Sequence, residues 1–514
     1  MTALNKFFCR AVNIIFILCA VWIAGVVFFF QHLTIPSWVR KEFLLPNVCL
    51  LAAGIALAIG LKFLLGKRTV DIRAAALIAF VIQVVVLYFY YFSSGWDAGA
   101  ILSRAWIAAT GGTLEAPEGY YSLNTNNIMM HLVEYGVFRL CVLCGISDYV
   151  RAYFALVVIN CIVYGFVGVM AVDIVRMVSP DSSYAANICY CLYSGLILLS
   201  PWVSVVYTDG TGILFPILNI WLYLKFVSRD RRMFEEILFF AFFGMLSFIC
   251  YSFKATTVVS AIAVVIAHFL HVLGRPSGKI IKSMIGFLIG MAAFAALFVM
   301  TSMGYERLYT SSGLVIDDEL ACPFTHYLKM GFNDYEAGTF NFEDADETAY
   351  ISNYQDRYDQ CLSEAKRRIK SLLPFGIFKF EARKSLVIFH DGTFSYGIEG
   401  DFYAAGAEDR VPVVSPFFKR IFWHTGDLYP YLALLQQGLW LLVVVSCIAF
   451  GFFDKKRGDV AIRITLIGIF LFLALFESEA RYIYVYVPVY IVAAAIALDQ
   501  VIEAVTVRWR KHFG

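Results

Sequence analysis

The sequence is short of charge and lacks the motifs of soluble catalysis. Only 16% of its 514 residues are Asp, Glu, Lys or Arg, while 60% are hydrophobic, a balance no water-soluble surface of this size accommodates. Neither sign dominates: 41 basic against 39 acidic residues leave a formal charge of +2, so bulk charge makes no case for a nucleic-acid partner. There is no P-loop, no dinucleotide fingerprint, no zinc-ligand spacing and no nucleophile elbow, which leaves the chain without the phosphate cradles and activated serines of soluble enzymes. Cys141-Val142-Leu143-Cys144 has redox spacing, but its apolar setting argues for packing. Of the 12 cysteines, all but Cys322 and Cys361 lie in or beside apolar runs and read as buried hydrophobes. Those two read either as a bridge or as a pair of free buried thiols. Solenoid repeats, inverted repeats and low-complexity linkers are also missing.

What is present is a series of apolar runs, about thirteen of near-spanning length between residues 11 and 502, with mean hydropathy +0.72. The first, Phe7 to Phe30, is too long for a signal-peptide core and reads as a retained helix. The expected class is an all-α polytopic membrane protein with about 12 transmembrane helices. Its expected parts are a transmembrane module at 1–300, an extracytoplasmic domain at 301–425 and C-terminal transmembrane helices at 426–514.

Basic loops orient the runs, because Lys and Arg are retained on the cytoplasmic side. Lys6 and Arg10, then Lys67, Arg68 and Arg73, then Arg229, Arg231 and Arg232 mark the inside. So do Arg275, Lys279 and Lys282, then Lys455, Lys456 and Arg457, and finally Arg508, Arg510 and Lys511. Residues 94–125 and the neighbourhood of Asp209 then both fall outside, and an even number of crossings must separate them. The runs 127–146, 151–177 and 183–201 lie between. One of them does not span, and 127–146, which carries His131, Glu134 and Arg139, is the candidate for an interfacial helix in the first large outer loop. The same parity puts 301–425 outside, with Asp317, Asp318, Glu319, Asp344, Asp346 and Glu347 in its first half.

Polar groups where a bilayer rejects them are the functional candidates. Asp97, in Ser93-Ser94-Gly95-Trp96-Asp97-Ala98-Gly99, follows an apolar run at its outer end. Lys254, in the turn Ser252 to Thr257, and Arg481, in Phe476 to Tyr482, oppose the positive-inside bias. Two outer cations suit a phosphate at headgroup depth, Arg as a bidentate donor and Lys as a point charge; the plainer reading is snorkelling or pairing with Glu477 or Glu479. Asp209, after Tyr207, reads equally as a site carboxylate or as a helix cap. Asn126 and Asn127 suit sugar hydroxyls or the capping of the next helix. His326 suits a phosphate or sugar oxygen, or a structural role.

Together these positions resemble the GT-C superfamily of membrane glycosyltransferases, in particular bacterial relatives of the protein O-mannosyltransferases and aminoarabinose transferases. The likeness spans 90 to 490. It rests on Trp96-Asp97-Ala98-Gly99, Tyr121 to Asn127, Tyr207-Thr208-Asp209, Phe253-Lys254-Ala255-Thr256 and Pro323 to His326 with Met330-Gly331. His390 to Phe394, and Glu477 to Tyr482 with Pro488, complete it. Thr125 and Ala255 stand where the pattern has proline, and two helices, not one, precede the Asp97 unit. The resemblance implies transfer of a sugar, with inversion, from a polyprenyl-phosphate carrier to an extracytoplasmic glycan, lipid or protein at the bacterial cytoplasmic membrane. Asp97 would be the general base, Lys254 and Arg481 the donor-phosphate ligands, and Asn126, Asn127, Tyr207, Asp209 and His326 substrate contacts. It leaves a divalent metal, magnesium or manganese, open at Asp209, since many relatives need none. The competing readings are a polymerase or ligase of lipid-linked polysaccharide, which tends to rely on outer-loop Arg and His, and a transporter or flippase of lipid-linked sugars, which predicts inverted repeats.

Overall fold

The computed structural model describes residues 3–36, 44–66, 68–397, 415–452 and 458–513. Lys67, Lys455, Lys456 and Arg457 lie outside the described residues, as do the side chains of Arg508, Arg510 and Lys511. Among the described residues all regular structure is helical and there is no strand. Helices satisfy their own backbone groups, the condition for crossing hydrocarbon. Among the described residues nine stretches, from Leu4–Phe29 to Val487–Thr506, are long and apolar enough to span a membrane.

The chain opens with α1 (Ala3–Phe29), α2 (Leu44–Leu65) and α3 (Ile72–Tyr88). Two short helices, α4 (Trp96–Ala109) and α5 (Gly119–Leu123), build the first large loop. Then comes α6 (Ile128–Leu143), the run expected to be interfacial, which is absent from the nine spanning stretches. Next are α7 (Tyr149–Val178), α8 (Ser183–Tyr193), α9 (Thr208–Thr211), α10 (Leu214–Val227), α11 (Met233–Phe253), α12 (Val258–Leu273) and α13 (Ser277–Ser311). The polar segment folds as α14 (Phe324–Gly331), α15 (Phe342–Ala349), α16 (Tyr354–Leu372) and α17 (Gly376–Phe389). The C-terminal part holds α18 (Pro416–Phe422), α19 (Tyr429–Phe452), α20 (Asp459–Leu475), α21 (Ala480–Tyr484) and α22 (Val487–Phe513).

The core is not colinear with the sequence. α22 packs on α19, α8 and α7, and α20 packs on α12 and α1, so the last helices fill the centre of the bundle. Residues 483–497 are buried almost without interruption, with Val485, Tyr486, Val487 and Ala493 fully enclosed. Two local boundaries differ from expectation. α13 runs on to Ser311, so the polar unit begins beyond 311 and not at 301. The run 183–201 leaves the α-helical path at Tyr193, passes through a π-helical stretch at Ser194–Leu198 and then a short 3₁₀ turn at Pro201–Ser204. Pro201 cannot donate the N–H that a continuing helix needs.

Small residues set one close helix pair. A Cβ on Gly244 of α11 would collide with the backbone of Phe294 on α13, and Gly290 of α13 lies against the ring of Phe240. Without water to drive their association, membrane helices gain most from such close approach. We expect Gly244→Leu to push α11 from α13 and to cost about 1–3 kcal/mol through overpacking. A thermal unfolding midpoint in detergent equal to that of the unmodified protein would contradict this contact.

Candidate functional site

The break after α8 places Asp209. Non-helical backbone at membrane depth is tolerated only where protein satisfies its polar groups, and α7 supplies them. Tyr153 donates to the Ser204 carbonyl at 2.7 Å and its hydroxyl accepts from the Val206 amide at 3.2 Å. Asn160 Nδ2 donates to the Val203 carbonyl at 3.0 Å. Tyr207, buried and extended, then leads into the single turn α9, where its carbonyl accepts from the Thr211 amide at 3.0 Å.

Asp209 does not cap this turn. Its carboxylate is 3% exposed and meets Lys254 Nζ at 2.6 Å and Arg481 Nε at 3.5 Å. Lys254 comes from the extended residue between α11 and α12, and Arg481 from α21, which packs on α9. The ring of Tyr482 lies against both cations, 4.2 Å from Lys254 Nζ and 5.3 Å from the Arg481 guanidinium carbon. Tyr482 donates to Glu477 at 2.8 Å. Burial pushes the Glu477 carboxyl above the ordinary range; the Tyr482 hydrogen bond and the charges of Arg481 and Lys254 oppose this, and Asp97 adds to it. Each Asp209 oxygen faces one cation, Oδ1 the ammonium and Oδ2 the guanidinium.

Asp97 lies in the first turn of α4, and its charge adds a minor push to the raised Glu477 carboxyl and Tyr327 hydroxyl. It is exposed, and Tyr120 donates to its Oδ1 at 3.0 Å, while Asn127 Nδ2 donates to Tyr120 at 2.8 Å. The loop is held from below. Glu118 accepts from Arg104 Nε at 2.5 Å and from the Tyr121 amide at 2.9 Å, and the Arg104 guanidinium lies 4.8 Å from the Tyr120 ring centre. Trp96 takes φ +52°, a left-handed conformation that costs a non-glycine residue about 1–3 kcal/mol and clusters at functional sites. Gly99 is needed here because a Cβ would sit 2.6 Å from the Ser94 carbonyl oxygen.

The polar unit closes over these loops. Glu118 N donates to Val315 O at 2.8 Å, Asp317 N to Ser122 Oγ at 2.9 Å and Cys322 N to Leu123 O at 3.2 Å. On the other side Glu477 N donates to Tyr327 O at 2.9 Å and Ser478 N to Gly338 O at 3.0 Å. Lys384, fully buried on α17, donates to the carbonyls of Gly331, Ala474 and Phe476 at 2.7, 3.1 and 2.7 Å. Burial pushes its ammonium below the ordinary lysine range, and the carboxyls of Glu381 and Glu477 pull it back.

The structure therefore joins Asp209 with Lys254 and Arg481, and Asp97 with Asn127 through Tyr120, while Tyr207 leads into the Asp209 turn. Asn126 is exposed and donates to Asn127 Oδ1 at 3.3 Å. His326 does not join: its Nδ1 lies 2.9 Å from Thr348 Oγ1, and burial, with help from Lys329, pushes the ring down to about 4, so it is neutral at physiological pH. Its neighbour Tyr327 is the part of α14 that meets the Glu477 loop. The His390 to Phe394 segment is a buried turn. Asp391 accepts from Thr393 N at 2.8 Å, Thr393 Oγ1 at 2.6 Å and Ser395 N at 3.0 Å, and Trp202 donates to the carbonyls of Thr393 and Phe394. Cys322 and Cys361 are free, the latter 3.5 Å from Thr348 Oγ1. Asp209 does not suit a divalent metal, since two cations already face it and no group of three His, Cys, Asp or Glu side chains gathers among the described residues. Sequence reasoning missed Tyr120 as the partner of Asp97 and Lys384 altogether. The one available signal was a lysine inside the apolar-rich stretch Phe380 to Phe389.

A family model described as conserved hypothetical integral membrane protein matches residues 15–502. The chain belongs to this family. The description establishes integration in a membrane and names no activity. No curated protein matches the sequence.

Lys384→Met keeps the length of the side chain and removes its donors. With three carbonyls left unpaired, we expect a loss of about 3 kcal/mol or more and faster hydrogen exchange at 474–479 than in the bundle core. Unchanged exchange in that segment would show that its carbonyls are held by something else.

Proposed function

We propose that this chain is an inverting glycosyltransferase of the GT-C type, moving a sugar from a polyprenyl-phosphate carrier to an extracytoplasmic glycan, lipid or protein. The observation that carries the reading is the meeting of Lys254 and Arg481, remote in sequence, on the one carboxylate of Asp209. In this reading the acceptor hydroxyl attacks the anomeric carbon from the face opposite the phosphate. Its proton passes to Asp97, whose Oδ2 has no partner among the described residues while Tyr120 holds Oδ1. The bond between the anomeric carbon and the phosphate oxygen breaks, and its electron pair leaves with the polyprenyl phosphate. Lys254 and Arg481 have N–H groups beyond those turned to Asp209, and these receive the developing charge on that oxygen. Asp209 keeps the two cations together before the donor arrives and offers its oxygens to a sugar hydroxyl.

The reading sets the protein in the bacterial cytoplasmic membrane with about twelve crossings: the nine long stretches, the shorter apolar helices Ile72–Tyr88 and Ser183–Leu198, and α20. The basic loops then face the cytoplasm and the Asp97 cluster the outside, with the polar unit beyond Ser311 as the extracytoplasmic cover.

The test is incubation of the purified protein with a panel of polyprenyl-phosphate sugars, reading carrier-dependent turnover. Asp97→Asn should fold, bind donor and lose about 10²–10⁴-fold in rate; near-normal turnover would move the base elsewhere. Separately, Lys254→Ala and Arg481→Ala should each weaken donor use, and the double variant should lose less than the sum of the two, because both serve one phosphate. Strict additivity would mean that the cations act on different groups.

A further inference from the structure

We propose that the opposite end of the bundle carries a second binding site, for the phosphate headgroup of an anionic lipid. A cavity of about 560 Å³ opens there between the N-terminal ends of α1, α13 and α20 and the C-terminal ends of α10 and α12. It is remote from the Asp97 cluster. α12 begins beside Lys254 and ends at the cavity, and its 16 residues at roughly 1.5 Å each separate the two by about 24 Å.

The walls select an anion. Lys6, Arg10, Arg275 and Lys279 line the cavity. Arg275 is engaged by Asp230 at 2.6 Å, and Asp459, the other acid on the wall, is paired with Arg463 at 3.0 Å. The side chains of Lys6, Arg10 and Lys279 are exposed and have no partner among the described residues. Lys279 stands in the first turn of α13, its amide donating to the Pro276 carbonyl at 2.8 Å, so the side chains carry the positive charge of this wall. Three cations without a partner among the described residues, gathered in one concavity, form a phosphate site by the ordinary rules of anion recognition.

The walls also select an amphiphile. Val227, Ala267, Leu270, Val460 and Ala461 line the same cavity and give it an apolar part beside the cations. Inorganic phosphate would satisfy only the charged part, whereas a phosphodiester headgroup with its acyl chains satisfies both. By the positive-inside rule this end meets the cytoplasmic leaflet, where anionic lipids are concentrated and where basic pockets between transmembrane helices bind their headgroups. The inference does not use the transferase reading, and neither assay's failure touches the other.

Native mass spectrometry of the full chain in detergent, with phosphatidylglycerol or phosphatidylcholine added, tests the site. Phosphatidylglycerol adducts should persist where phosphatidylcholine adducts do not. The combined variant Lys6→Ala, Arg10→Ala and Lys279→Ala should lose retention by about fivefold for each cation removed. A control that removes Arg73, Arg229 and Lys282, basic residues near the same end but outside the cavity, should retain lipid as the unmodified chain does. Equal retention of the two lipids, or an equal loss in the control, would overturn the proposal. On the unmodified protein, short-chain phosphatidylglycerol should protect Lys279 from acetylation and inorganic phosphate at the same concentration should not. Equal protection by inorganic phosphate would overturn the lipid assignment.

Discussion

Two cations held against one buried carboxylate are stable only if the surrounding backbone is held as firmly. Asp209 is that carboxylate, and its partners come from opposite halves of the chain: Lys254 follows α11, and Arg481 lies in α21 between the last two long helices. Breaking a buried pair by removing one partner commonly costs about 3–5 kcal/mol, so α9, α21 and the α11–α12 turn are tied to a common position. Tyr482 strengthens the arrangement by presenting one ring to both cations and its hydroxyl to Glu477.

The cost of assembling such a cluster at the end of a membrane bundle is met by unusual backbone. The chain unwinds after α8 so that Asp209 can enter the protein interior, and Tyr153 and Asn160 of α7 replace the lost helical hydrogen bonds. Trp96 is held in a left-handed conformation directly before Asp97. Both of these departures adjoin a carboxylate, as expected where positioning outweighs local stability, while positive φ also occurs in other segments, at Ala337, Phe394 and Ser395.

The polar unit is a structural lid with its own charge economy. Asp344 binds Arg368 through both oxygens at 2.7 Å, and Lys329 and Arg357 are buried in the same unit against backbone and side-chain acceptors. Desolvation raises the Asp344 carboxyl, and Arg368, Asn333 and Lys329 outweigh it and hold it below the ordinary range. His326 is held in this network by Thr348. Lys384 then pins the unit to the 474–479 loop, so the residues that position Glu477 and Arg481 are fixed from outside the membrane helices as well as from within.

The membrane class and most helix positions were legible in the sequence, because hydrocarbon demands long apolar runs and self-satisfied backbone whatever the tertiary packing. Asp97, Lys254 and Arg481 were legible for the same reason, as charges where a bilayer disfavours them. The sequence could not choose between a cap and an ion pair for Asp209, since capping depends on neighbours in the chain and pairing depends on residues brought from other helices. It likewise left Asn127 open between a sugar contact and a helix cap, since it could not show that the amide reaches Asp97 through Tyr120. The prolongation of α13 to Ser311 was hidden because a helix leaving the apolar zone loses its hydropathy signal but not its hydrogen bonds. Lys384 was hidden because a buried lysine is recognised by the three carbonyls around it, and those carbonyls lie on segments far from it in sequence. Solvent and bilayer impose constraints residue by residue, which one sequence records; the pairing of polar groups depends on which segments meet, which only the tertiary structure decides.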